Sequence, residues 1–165
     1  MIIGGNGCGK TTFSKMLCDK LKLPLIHLDI LYWRDNWQTA SKYEFDELLM
    51  QKLTKPKWIM DGNISRTIPL RLKYCDTVIY MDYSRLQCVY GAIKRLIQNH
   101  GKSRPDMGGY CPEKFDFQSF KFIKTVWEFN KNNRKHYYDM LINASDVEII
   151  ILKNRKQMIE FLQRL

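Results

Sequence analysis

Apolar residues along this chain fall into short continuous runs, and those runs alternate with segments patterned like helices. Leu25–Leu28, Trp58–Met60, Thr77–Met81 and Val147–Leu152 lack the in-and-out alternation of a half-exposed strand, as strands covered on both faces do. Met1–Gly4 is the stub of a fifth. Between the runs, Lys10–Leu21 places Phe13, Met16, Leu17 and Leu21 at helical spacing. A helix over Lys42–Lys52 starts behind Ser41, where Glu44 completes a predicted capping box. Arg85–Asn99, Phe120–Leu141 and Lys156–Leu165 read as further helices. Trp33–Ala40 reads as loop. So does His100–Asp116, a polar stretch holding Gly101, Gly108, Gly109, Pro105 and Pro112. Strand–helix alternation of this kind predicts a three-layer α/β/α fold on a five-stranded parallel sheet. Its 165 residues predict one domain, 1–165, with a lid loop around 100–117.

Composition narrows the class. Hydrophobic residues make up 45% of the chain, enough for a packed core. No apolar run reaches the ~18–20 residues of a membrane span, and three apolar residues at the start are too few for a signal peptide. The expectation is a soluble, cytoplasmic protein with no membrane partner. Its five cysteines are scattered and form no C-x-x-C pair, which favours reduced thiols over a zinc site or disulfides. A formal charge of +10 points to a polyanionic partner, either nucleotide phosphates or nucleic acid.

Candidate chemistry begins at Gly4-Gly5-Asn6-Gly7-Cys8-Gly9-Lys10-Thr11-Thr12, which fits the phosphate-loop pattern G-x-x-x-x-G-K-[ST]. Bare backbone lets a ring of N–H groups close on phosphate oxygens, and the next helix turns its positive end toward them. Lys10 would reach the β- and γ-phosphates of ATP, and Thr11 would offer its hydroxyl to Mg²⁺. A chance glycine-rich turn is the alternative, but the motif has its strand before it and its helix after. Three residues make a short first strand, so the chain is expected to lack a few residues at its true N-terminus.

A phosphate loop needs a carboxylate for its metal at the end of a neighbouring strand. Asp61 closes Trp58–Met60 and takes that role, its alternative being a turn cap. Asp29 follows Leu25–Leu28 and points to the same crevice. There it would meet an acceptor or take the proton of its hydroxyl, or else cap a helix or loop. His27, inside the strand run, reads as a packed histidine. Arginines able to neutralise a moving phosphoryl group cluster in three places: Arg66 and Arg71 after Asp61, Arg85 and Arg95 before the polar loop, and Arg104 and Arg134 in and after it. The run from Phe120 to Lys131 could stack bases and hold phosphates. However, Phe122, Val126 and Phe129 share one helical face and Lys121, Lys124 and Lys131 another, as in an amphipathic core helix.

These residues resemble the adenylate-kinase-like group of P-loop kinases. The stretch Asp61-Gly62-Asn63-Ile64-Ser65-Arg66-Thr67 is similar to the D-G-F-P-R-T segment of adenylate kinases, with one extra residue and no proline. Over nearly its full length the chain resembles the DNA topology modulation proteins, through GGNGCGKTT, HLDILYW, WIMDGNISRT, DTVIYMD and RPDMGGYCPEKFD. The resemblance implies strand order 2-3-1-4-5, a lid, and nucleotide and metal roles for Lys10, Thr11 and Asp61. It also implies an acceptor-phosphate role for Arg66 and lid-flanking roles for Arg95 and Arg134. Taken together, the expectation is an ATP- and Mg²⁺-dependent kinase acting on a small nucleotide- or nucleoside-like acceptor. In it Lys10, Asp29, Arg95 and Arg134 serve catalysis, and Asp29, Arg66 and Arg104 bind the acceptor. The alternative is an ATP-binding, nucleic-acid-associated regulator of DNA topology.

Overall fold

The structure, a computed structural model, describes residues 1–144 and 146–165, and the side chains of all of these except 130–132. Five apolar runs pair into one parallel sheet: β1 (Ile2–Gly4), β2 (Leu25–His27), β3 (Ile59–Asp61), β4 (Thr77–Met81) and β5 (Glu148–Leu152). Their spatial order is β2-β3-β1-β4-β5, the order 2-3-1-4-5 expected. In register, His27 lies beside Asp61, and Ile2 lies between Asp61 and Ile79. The carboxyl ends of β1, β2 and β3 therefore meet at one edge, where parallel sheets gather their ligands.

Among the described residues seven α-helices flank the sheet: α1 (Lys10–Leu21), α2 (Leu28–Tyr32), α3 (Lys42–Leu53), α4 (Ile68–Leu72), α5 (Arg85–Gln98), α6 (Phe117–Ile142) and α7 (Arg155–Arg164). On one sheet face Ile2, Ile79 and Met81 pack with Phe13 and Leu17 of α1, Cys88 and Ala92 of α5, and Met158 and Leu162 of α7. On the other, Ile3, Val78 and Tyr80 pack with Ile68 of α4 and Tyr137 and Leu141 of α6. A third cluster joins Met60 to α2 and α3 through Leu28, Leu31, Phe45 and Leu49. Both faces are thus covered, which is why the strands read as unbroken apolar runs. No helix among the described residues is long and apolar enough to cross a membrane.

Several local expectations change. Ser41 caps α3 by accepting the Glu44 N–H at 3.1 Å, but the Glu44 carboxylate turns away to Arg34 at 2.5 Å and leaves the predicted box half built. A full capping box forms instead on α5, between Ser84 and Gln87. Met16 and Leu21 face solvent. Val126 is buried on α6, Phe122 and Phe129 pack against the core beside it, and Lys121 and Lys124 are exposed, so that face of the helix turns to the core, while Phe120 and Trp127 stay exposed. Lys131 lies outside the described side chains. Arg71 is wholly buried, far from the role of a cleft arginine. It donates to Thr67 Oγ1 and to the carbonyls of Gly62 and Ile64, and burial pushes its pKa down to about 10. It braces the backbone that follows Asp61.

The largest departure is Trp33–Ala40, expected as loop. Trp33–Arg34 and Gln38–Thr39 form a small antiparallel ribbon after α2. Its partners come from the lid. Asn36 N–H donates to Tyr110 O at 2.9 Å, Tyr110 N–H to Asp35 Oδ1 at 2.6 Å, and the Trp37 indole N–H to Pro112 O at 3.1 Å. Gly108 and Gly109 make this seating possible. A Cβ on Gly108 would stand 2.2 Å from Ile30 O, and one on Gly109 2.4 Å from Asp35 N. The lid is pinched at its neck, where Gly101 N–H donates to Glu113 O at 2.8 Å and Glu113 N–H to Lys102 O at 3.1 Å.

Candidate active site

A cleft of about 660 Å³ opens above the carboxyl ends of β1, β2 and β3. Its floor is the loop between β1 and α1. Asn6, Gly7, Cys8, Gly9, Lys10, Thr11 and Thr12 line it, whereas Gly4 and Gly5 lie behind. Those two glycines contribute carbonyls: Lys10 Nζ donates to Gly4 O and Gly5 O, each at 2.9 Å. The ammonium is thus held across its own loop, where it can exchange carbonyl oxygens for phosphate oxygens. Gly9 caps α1 at φ +90°, and a Cβ there would meet nothing within 4 Å. The helix N-terminus therefore faces open space, with free N–H groups and the positive end of its dipole turned into the cleft. The Cys8 thiol is buried, and burial raises its pKa, so it packs rather than reacts.

Asp61 stands opposite Lys10, at the end of β3. Its Oδ1 lies 2.7 Å from His27 Nδ1, and its Oδ2 accepts from Ser14 Oγ at 2.7 Å. Register places His27 beside it, and Ser14 sits one helical turn beyond Lys10. His27 is packed, as expected, yet it also lines the cleft and orients Asp61. Thr11 Oγ1 donates to Asp106 Oδ2 at 3.4 Å, a contact from the lid. Thr11 and Asp61 are oxygen donors of the kind Mg²⁺ takes. Among the described residues no group of three or more His, Cys, Asp or Glu could hold an ion by itself.

Asp29 enters from the first turn of α2. Burial raises its pKa, Arg104 and Lys10 pull it back, and Asp61 and Asp106 push it up again. Arg95, from the last turn of α5, and Arg104, from the lid, complete the wall. Arg104 Nη1 donates to Asp106 Oδ2 at 2.6 Å. Burial and the neighbouring Arg104 lower the pKa of Arg95, and Glu113 raises it. Lys15, Lys94 and Arg155 also line the cleft.

Two expected site arginines stand elsewhere. Arg66 pairs with Asp46 Oδ1 at 2.8 Å and lies over the Phe45 ring, both on α3. Arg134 pairs with Asp82 Oδ2 at 2.6 Å, and Tyr138 donates to the same oxygen at 2.8 Å. Neither lines the cleft; buried Asp82 and nearby Asp46 supply closer anions. Arg85 lies over Trp127. Asp106, Ser14, Arg155 and the His27–Asp61 contact were missed from the sequence. Ser14 alone had a signal, since its helical spacing puts it on the face of Lys10.

No family model matches the chain, and no curated protein matches it. Solved structures do. A protein titled a "putative kinase" from Chloroflexus aurantiacus superposes with a TM-score of 0.55 at 17% identity, over 99% of this chain and 94% of that one. The shikimate kinase of Bacteroides thetaiotaomicron gives a TM-score of 0.52 at 17% identity, over 99% of this chain and 92% of that one. The fold is that of the P-loop kinases. At this identity the likeness is one of architecture.

Proposed function

We propose that the protein is an ATP- and Mg²⁺-dependent phosphotransferase that moves the γ-phosphoryl group to a hydroxyl of a small, nucleotide- or nucleoside-like acceptor. The observation that carries this is the convergence of Lys10, Thr11, Asp61 and Asp29 on one cleft walled by Arg95 and Arg104. The loop N–H groups and Lys10 bind the phosphate chain. Thr11 and Asp61 hold Mg²⁺, with His27 and Ser14 fixing the carboxylate; the ion, when bound, neutralises charge on the β- and γ-phosphates. Asp29 takes the acceptor's hydroxyl proton, and its partly buried carboxylate is the stronger base for being desolvated. Arg95 and Arg104 neutralise charge that builds on the phosphoryl group in flight.

The test is ADP release from ATP and Mg²⁺ across a panel of hydroxyl acceptors, alongside direct ATP titration. Lys10→Ala should weaken ATP binding and lower turnover by about 100-fold or more, the scale of losing a charge at the reacting phosphates. A variant that binds and turns over ATP like the parent sinks the assignment.

A second reading rests on the charge of +10, which suits nucleic acid as well as nucleotides. An ATP-binding regulator associated with DNA predicts duplex binding that falls steeply with salt. No binding at about 50 mM salt, where phosphate contacts still count, removes it.

A further inference from the structure

Arg95 and Arg104 reach the cleft from different elements, yet Arg104 lies close enough to help lower the pKa of Arg95. Two partly buried like charges side by side repel, and something must balance them. Glu113 does so. Its Oε1 lies 3.5 Å from Arg95 Nε and 3.3 Å from Arg104 Nε. Glu113 is buried and is not among the cleft-lining residues, so it stands behind the two arginines. Its backbone is fixed at the lid neck, by the Gly101 N–H on its carbonyl and by its own N–H on Lys102 O. At these distances neither Nε makes a hydrogen bond to the carboxylate. Glu113 therefore compensates charge without locking either guanidinium, and it engages both on the Nε side. The terminal nitrogens of Arg95 stay available to a ligand, while Arg104 holds Asp106 Oδ2 with Nη1 and Met107 Sδ with Nη2, contacts that a phosphoryl oxygen would exchange.

We infer that Glu113 is a positioning residue: it pairs Arg95 with Arg104 behind the cleft so that both cations serve one phosphoryl group. This rests on the kinase reading above. It adds a residue for which neither the phosphate-loop motif nor the fold provides a role. It also has a consequence that a merely structural role lacks. Removing the carboxylate leaves the cleft one positive charge richer, so ground-state anion binding tightens while turnover falls.

The test compares Glu113→Gln, near-isosteric and uncharged, with Glu113→Asp, which keeps the charge. Two quantities are read in each: ADP release from ATP and Mg²⁺, and calorimetric affinity for tripolyphosphate at low salt. Glu113→Gln should slow turnover by about tenfold or more, the loss seen when a transition-state donor is disordered. It should also bind tripolyphosphate roughly threefold or more tightly, from one added charge near the surface dielectric. Glu113→Asp should keep the parent's affinity and recover part of the rate. Unchanged turnover in Glu113→Gln, or a tripolyphosphate affinity that is unchanged or weaker, overturns the inference. If the parent releases no ADP with any acceptor, the kinase reading fails, and the tripolyphosphate comparison still decides the charge-balancing role.

Discussion

Two carboxylates reach the cleft, Asp61 from the end of β3 and Asp29 from the first turn of α2, and meet opposite surroundings. Asp61 is gripped on both oxygens, by His27 and by Ser14. Asp29 is desolvated, and charges of both signs face it: Arg104 and Lys10 on one side, Asp61 and Asp106 on the other. Such divergence separates a fixed ligand from a base. Because burial raises the pKa of Asp29, the acid limb of kcat/KM against pH should lie above the ordinary carboxylate range. Activity is lost there as pH falls and the base is protonated. Arg104 is the largest influence pulling that pKa down, so Arg104→Gln should move the limb to still higher pH. A limb that stays put would mean that Arg104 does not face Asp29. Residue by residue, legibility followed range. Lys10 and Thr11 could be read because a phosphate loop is a local device. Asp61 could be read because it ends a strand. Arg66 and Arg134 could not, because the anions that capture them lie 20 and 52 positions away in sequence. Asp106 and Glu113 sit in a polar loop with no periodicity to read.

At the scale of elements, the segment after β2 and the lid define each other. Neither has a periodic pattern, and Asn36 and Trp37 both adopt positive φ, at 56° and 61°, without being glycine. The ribbon exists because lid backbone satisfies it. Hydrogen exchange should therefore find the Asn36 and Tyr110 amides protected in the ligand-free protein. Gly109→Ala, whose added carbon would press on Asp35 N, should release both together. Faster exchange at Tyr110 alone would mean that the two segments open separately. The long helices were legible for the opposite reason: α1, α3 and α5 each carry their own caps or apolar stripe. Even there, the Glu44 side chain escaped prediction, since Arg34 competes for it across the ribbon.

For the molecule as a whole, the pattern of covered strands pointed to a parallel sheet, and the resemblance to the adenylate-kinase-like group implied its strand order. The cleft followed from the sheet, because three strand ends converge on it. Its shape did not, since Arg104, Pro105 and Asp106 of the lid form part of its wall. That division bears on how the protein can be altered. Gly108 and Gly109 sit against backbone more than 70 residues earlier, at Ile30, Trp33 and Asp35. The stretch near residue 35 and the stretch near residue 109 are one inherited surface written in two places. A lid borrowed from another protein of this fold would meet a ribbon cut for a different loop. Lid exchange should succeed only when residues 28–40 travel with it.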